Sequence, residues 1–101
     1  MVYFVSNSFI DDINITNATI QQCLDYFKEH EWIAVDTETE GFDPHVKKIL
    51  TIQLGDSDNQ WVIDCRAVDI KHLKKLLESK KLILHNSKFD YKFLKTHGIN
   101  I

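Results

Sequence analysis

Asp36 and Glu38 stand two residues apart at the end of a short apolar run, Trp32–Asp36. In an extended strand residues i and i+2 project to the same side, so both carboxylates face one point in space. Glu40 follows at the same interval, and acids gathered this closely repel one another unless a cation draws them together. Carboxylate oxygens are the hard ligands that Mg²⁺ and Mn²⁺ prefer. A solvated acidic loop would explain the same residues, so the pair alone leaves the question open. A second stretch bears on it. The apolar run Lys81–Leu84 leads into His85-Asn86-Ser87-Lys88-Phe89-Asp90, which places Asp90 in the first turn of the helix that follows. In sheets with helical crossovers, ligand sites gather at the carboxyl ends of strands. If this strand lies parallel beside Trp32–Asp36, Asp90 comes near Asp36 and Glu38. Alone, Asp90 is an acid favourably placed at a helix N-terminus; beside the other two it is a third member of a divalent-metal site.

The elements that must position these residues follow from periodicity. Val2–Val5 reads as a short strand, followed by a polar loop through Asn14. Asn17 or Thr19 can cap a helix reaching about His30, because Ile20, Cys23, Leu24 and Phe27 recur at helical spacing. Ile49–Leu54 and Gln60–Ile63 are strands around the polar turn Gly55–Asn59, an antiparallel hairpin. Asp69 can cap a second helix with Ile70, Leu73, Leu76 and Leu77 inside and Lys71, Lys74 and Lys75 outside. After a strand at Leu82–His85, Asn86 or Ser87 opens a third helix, closed by His97 and Gly98. The order β-α-β-β-β-α-β-α predicts a mixed sheet with helices packed on it. Strand 49–54 should run antiparallel to strand 32–36, and strand 82–85 parallel to it.

At 101 residues, with 44% hydrophobic and 27% charged residues, the chain fits one small globular domain. No apolar run approaches the roughly 20 residues of a membrane helix. Met1-Val2-Tyr3-Phe4-Val5-Ser6 has neither the basic start nor the apolar core of a signal peptide. Cys23 and Cys65 form no CxxC pair and read as reduced thiols of a cytoplasmic protein. The net charge of −3 is uneven. Residues 1–46 hold one lysine against nine acids, while residues 47–101 hold eleven bases against six acids. The basic half could follow a phosphate backbone, and solvated helix faces account for it equally well.

Two segments carry a family resemblance. Val35-Asp36-Thr37-Glu38-Thr39-Glu40-Gly41-Phe42 resembles the first motif of the four-carboxylate (DEDD) 3′→5′ exonucleases, and Leu84-His85-Asn86-Ser87-Lys88-Phe89-Asp90-Tyr91-Lys92-Phe93-Leu94 resembles the second. Ile49–Gly55 and Trp61–Asp64 look like the strands between them. The match is nearest in form to the proofreading domains of family A DNA polymerases; RNase D-like exoribonucleases are the alternative. The resemblance implies an α/β, ribonuclease H-like fold with two divalent ions, Mg²⁺ or Mn²⁺, held by Asp36, Glu38 and Asp90 as the catalytic and metal-binding residues. It further implies that Thr39 and Phe42 hold the 3′-terminal nucleotide of single-stranded DNA, with RNA open as a substrate, and that Asn86, Lys88 and Phe89 lie near the preceding nucleotides.

One feature of the family is missing from these residues. Its third motif, a Tyr or His a few residues before a fourth aspartate, would follow the second by several tens of residues, and no such aspartate occurs before Ile101. The His85 and Asp90 spacing matches that pattern but belongs to the second motif. The expectation is therefore residues 1–101 as the N-terminal portion of one exonuclease domain, with its last central strand absent. The remainder of the exonuclease or polymerase, within bacterial or viral replication machinery, would lie on a longer or second chain. The competing expectation is a catalytically incomplete module that binds nucleic acid, metal or a protein partner. Either way, strand 82–85 would offer an exposed edge through which a second copy could pair.

Overall fold

The computed structural model describes residues 1–39, 49–85 and 87–101. Its elements are β1 (Val2–Val5), β2 (Ile15–Ala18), α1 (Ile20–Phe27), β3 (Trp32–Thr39), β4 (Ile49–Gly55), β5 (Gln60–Asp64), α2 (Lys71–Ser79), β6 (Lys81–Leu84) and α3 (Ser87–Thr96). Six strands form one mixed sheet in the order β2-β1-β5-β4-β3-β6. As expected, β3 and β4 pair antiparallel, β4 and β5 form the antiparallel hairpin, and β6 runs parallel to β3 with Val35 opposite Leu84.

One strand was not expected. Ile15–Ala18, read from sequence as loop and helix cap, pairs parallel with β1. Four residues that include two polar ones carry too little alternation to signal a strand alone. What makes it one is tertiary: the Asn17 side chain bonds both the N–H and the C=O of Ile10, at 3.0 and 2.8 Å, folding the chain back beside β1.

Local chemistry sets the helix ends. Thr19 caps α1: its Oγ1 accepts the Gln22 N–H at 3.1 Å, while Gln22 Oε1 accepts the Thr19 N–H at 2.8 Å. The α2 helix starts at Lys71, whose N–H is accepted by the Asp69 carboxylate at 2.9 Å. At the end of α3, Gly98 adopts φ +93°, a value glycine reaches without a Cβ clash. This lets the Ile99 N–H reach Leu94 O at 2.9 Å and the Gly98 N–H reach Lys95 O at 3.1 Å, with Ile99 turned into the core.

Strand alternation separates two faces. Val5, Ile33, Val35, Ile52, Leu54, Trp61 and Ile63 point to one side and are buried, packing with Cys23 and Phe27 of α1, Leu73 and Leu77 of α2, and Phe93 and Leu94 of α3. The other side carries Phe4, Ala34, Asp36, Gln53 and Val62, all half-buried, with Glu38 and Ile83 exposed. The edge strand β6 is only four residues long, and Ile83 is 57% exposed on it.

Candidate active site

The first two acids sit where strand geometry puts them. In β3 the burial alternates, with Val35 and Thr37 inward and Asp36 and Glu38 on the open face. The ladder places Asp36 opposite Gln53 and Glu38 opposite Thr51, and a register shift follows between Glu38 and Thr39. Register shifts of this kind are over-represented at sheet edges and beside functional sites. Asp36 borders an open depression of about 240 Å³ together with Ala34, Gln53, Gln60, Ile83 and His85. Its Oδ1 accepts the Thr37 N–H at 2.9 Å.

Asp90 arrives at the same strand end from the opposite face. It is fully buried, and its Oδ1 accepts a hydrogen bond from Thr37 Oγ1 at 2.7 Å. Thr37 lies between Asp36 and Glu38, so the third acid contacts the residue that separates the other two. The parallel β3–β6 pairing makes this possible, because it brings the carboxyl end of β6, and the helix that follows, alongside the carboxyl end of β3. The three acids share one strand end, yet among the described residues no three of His, Cys, Asp and Glu gather closely enough to hold one ion. In donor chemistry the set suits a hard cation: Asp36 and Glu38 offer carboxylate oxygens on an open face, and Asp90 waits behind the strand.

The other expected contacts divide. Phe42 and Asn86 lie outside the described residues, as does Glu40. Thr39 is half-buried at the end of β3. Lys88 is exposed, and with Lys92 and Lys95 it forms a stripe along α3 at helical spacing. Phe89 is half-buried and packs its ring against Phe93, centroids 4.6 Å apart. Two neighbours of these acids had no part in the expected site. Thr37 was not singled out, since an inward threonine reads as an ordinary strand residue. His85 does border the Asp36 depression, although its sequence match is accidental.

Nearby ionisable groups are accounted for. Asp64 belongs to the same cross-strand row as Thr51. Burial alone would raise its carboxyl, but the Ser6 hydroxyl and the backbone and guanidinium N–H groups of Arg66 hold it below the ordinary carboxylate range. Burial pushes Cys23 up to about 12; burial, with Asp64 beside it, pushes Cys65 up to about 11. Both therefore remain protonated thiols at neutral pH, unsuited to attack or metal binding. At the far end of the sheet, just past α1, the His30 Nε2 lies 2.8 Å from Asp56 Oδ2. That carboxylate also accepts from Tyr26 Oη and from the N–H groups of Asp58 and Asn59.

Comparisons with known proteins bear on the family and the fold. The 3′→5′ exonuclease family of the DNA polymerase A type matches residues 12–101. DNA polymerase I of Aquifex aeolicus is 33% identical over 81 residues, covering 79% of this chain and 13% of that protein. The chain thus spans about an eighth of the length of the curated relatives it matches, 13% and 11% in two cases. Among solved structures, Brucella melitensis NrnC with bound Mg²⁺ superposes with a TM-score of 0.63 at 24% identity, covering 95% of this chain and 44% of that one. Escherichia coli RNase D, described as an exoribonuclease involved in structured RNA processing, gives 0.62 at 24% identity over 74% of this chain and 21% of its own. At that identity the structural likeness speaks for the fold, a ribonuclease H-like α/β sheet, and the family match covers most of the sequence. This chain belongs to the 3′→5′ exonuclease family of the DNA polymerase A type.

Proposed function

We propose that residues 1–101 form the N-terminal portion of a single exonuclease domain that removes nucleotides from the 3′ end of single-stranded DNA, as proofreading within a DNA polymerase in the cytoplasm. The observation that supports this reading is the pair Asp36 and Glu38 on the open face at the carboxyl end of β3, with Asp90 bonded to the Thr37 hydroxyl between them from the other face. Asp36 and Glu38 would hold divalent ions, Mg²⁺ or Mn²⁺, on the open face, and Asp90 would complete their ligands. The Mg²⁺ recorded in NrnC, and the pGG bound in another structure of that protein, support a metal-assisted reaction on a nucleic acid. Bound there, two such ions would stabilise the attacking and leaving oxygens of an in-line phosphodiester hydrolysis.

The chain's own residues would bind and align the strand. Thr39 and Phe42 would seat the terminal nucleotide, the aromatic ring accepting any base on its face. Asn86, Lys88 and Phe89 would meet the preceding nucleotides, with the exposed stripe of Lys88, Lys92 and Lys95 drawing the phosphates. The fold shared with RNase D favours keeping RNA as the second substrate. Among the described residues β6 is an edge strand with Ile83 exposed, and at this edge the remainder of the domain or a second copy would pair.

The test is Mn²⁺ binding to the wild-type chain, to Asp36→Asn and to Glu38→Gln, followed by binding of labelled DNA and RNA single strands in the presence of the ion. Saturable binding lost in both variants supports the site. Equal binding by all three proteins would remove the metal centre from the account. Preference for RNA over DNA would move the reading to the exoribonuclease alternative.

A further inference from the structure

We infer that Thr37 is a positioning residue, whose hydroxyl aims the Asp90 carboxylate at the ion-binding end of β3. This inference rests on the metal site proposed above and goes beyond it by assigning a residue that touches neither ion nor substrate.

Three observations support it. Thr37 is 6% exposed and Asp90 is 0% exposed, so the 2.7 Å bond between them is shielded from water. An ionised carboxylate in such surroundings depends on donors, and bonds to charged groups are about twice as strong as neutral ones. The inward residues before Thr37 on β3 are Ile33 and Val35, both apolar, so a hydroxyl first enters this row where a carboxylate must be met. Threonine is also β-branched, which restricts χ1 and with it the direction of the hydroxyl. Because Thr37 is joined to Asp36 on one side and Glu38 on the other, its bond ties α3 to the strand that holds the other two acids. Outer donors of this kind fix the orientation of ligating carboxylates, and losing one commonly costs about 10–100-fold in metal affinity.

The experiment measures the Mn²⁺ dissociation constant, from the electron-spin signal of free ion, together with the melting temperature without metal. The proteins are the wild-type chain, Asp36→Asn, Thr37→Val, Thr37→Ser, Asp90→Asn and the Thr37→Val/Asp90→Asn double variant. Thr37→Val should weaken Mn²⁺ binding by about 10–100-fold, and Thr37→Ser should restore wild-type affinity. In the Asp90→Asn background, Thr37→Val should add no further loss, because its effect runs through Asp90. If valine unfolds the chain, Thr37→Cys, with similar volume and a weaker donor, should fall between threonine and Asp90→Asn. Wild-type affinity in Thr37→Val overturns the inference even if its melting temperature drops, because the bond would then serve only the fold. An equal loss in both backgrounds overturns it as well. Identical binding by the wild-type chain and Asp36→Asn is a different pattern: it removes the metal site itself, and the role of Thr37 with it.

Discussion

Replacing Tyr26 with phenylalanine deletes a hydroxyl that donates to Asp56 and accepts from Asn59 Nδ2 at 2.9 Å. The Asp56 side chain is 11% exposed, so solvent screens this bond little, and a hydrogen bond to a charged group is worth about 1.5–3 kcal/mol. For a domain of this length, 1 kcal/mol shifts the melting temperature by roughly 4–8 °C, so the loss should be on the order of 6–24 °C. Burial alone would raise the Asp56 carboxyl. The Tyr26 hydroxyl, the His30 ring and the N–H groups of Asn59 and Asp58 outweigh it and hold the group well below the carboxylate range. A carboxylate depressed in the folded state stabilises the fold above its unfolded value of about 3.9, and that contribution is lost as pH falls from there through the folded value. Thermal melts of the wild-type chain, Tyr26→Phe and Asp56→Asn from neutral pH downward read both effects. The wild type should lose stability steeply below about pH 4, and Asp56→Asn should be less stable at neutral pH with a flatter acid limb. A Tyr26→Phe melting temperature within about 2 °C of wild type at neutral pH, under half a kcal/mol, would refute the reasoning.

Phe93 is fully buried beneath α3, and Phe93→Ala should cost about 3–5 kcal/mol in urea unfolding; a loss under 1 kcal/mol would mean that α3 does not depend on this anchor. Binding of a single-stranded oligonucleotide should weaken with salt, and Lys88→Gln should reduce the log–log slope by about 0.7, one phosphate contact; an unchanged slope removes Lys88 from the path of the strand. Ile83→Lys should abolish any self-association of the chain in sedimentation experiments while leaving its melting temperature near wild type, since Ile83 is exposed at the sheet edge; dimers that persist in the variant would place the contact elsewhere.

What could be read from sequence follows from where the information lies. The pairing directions of β3, β4 and β6 follow from connection length and polarity, and the buried faces of α1 and α2 from helical spacing, all of them local signals. Asp36, Glu38 and Asp90 could be proposed from sequence because each occurs in a short motif, but their mutual arrangement was less legible. Strand alternation predicts that Asp36 and Glu38 share a face, and it does not tell which face the following helix covers. β2 was illegible because Ile15–Ala18 has no pattern of its own and is a strand only because Asn17 and β1 hold it there. The bond between Thr37 and Asp90 spans 53 residues, and no local pattern encodes a contact of that range. The Asp56 cluster was hidden for the same reason: Tyr26, His30 and Asp56 are separately ordinary and meet only when α1 packs over the hairpin turn.

The arrangement also explains why the acids are held by elements of unequal security. β3 is paired on both sides, by β4 and β6, so Asp36 and Glu38 ride on an interior strand. Asp90 rides on α3, which follows the edge strand and is held by Phe93, Leu94 and the turn at Gly98 that drives Ile99 into the core. With two acids on an interior strand and one on a docked helix, the geometry of the proposed site would depend on how firmly the helix seats. The Thr37 hydroxyl bridges these two supports from within the core, beneath the acids it separates. A donor on the open face would compete with the ion for the same carboxylate oxygens, whereas one behind the strand can orient Asp90 and leave the open face to the ligand. On the proposed reading, the inward threonine between two outward acids would orient the third without meeting the ion itself.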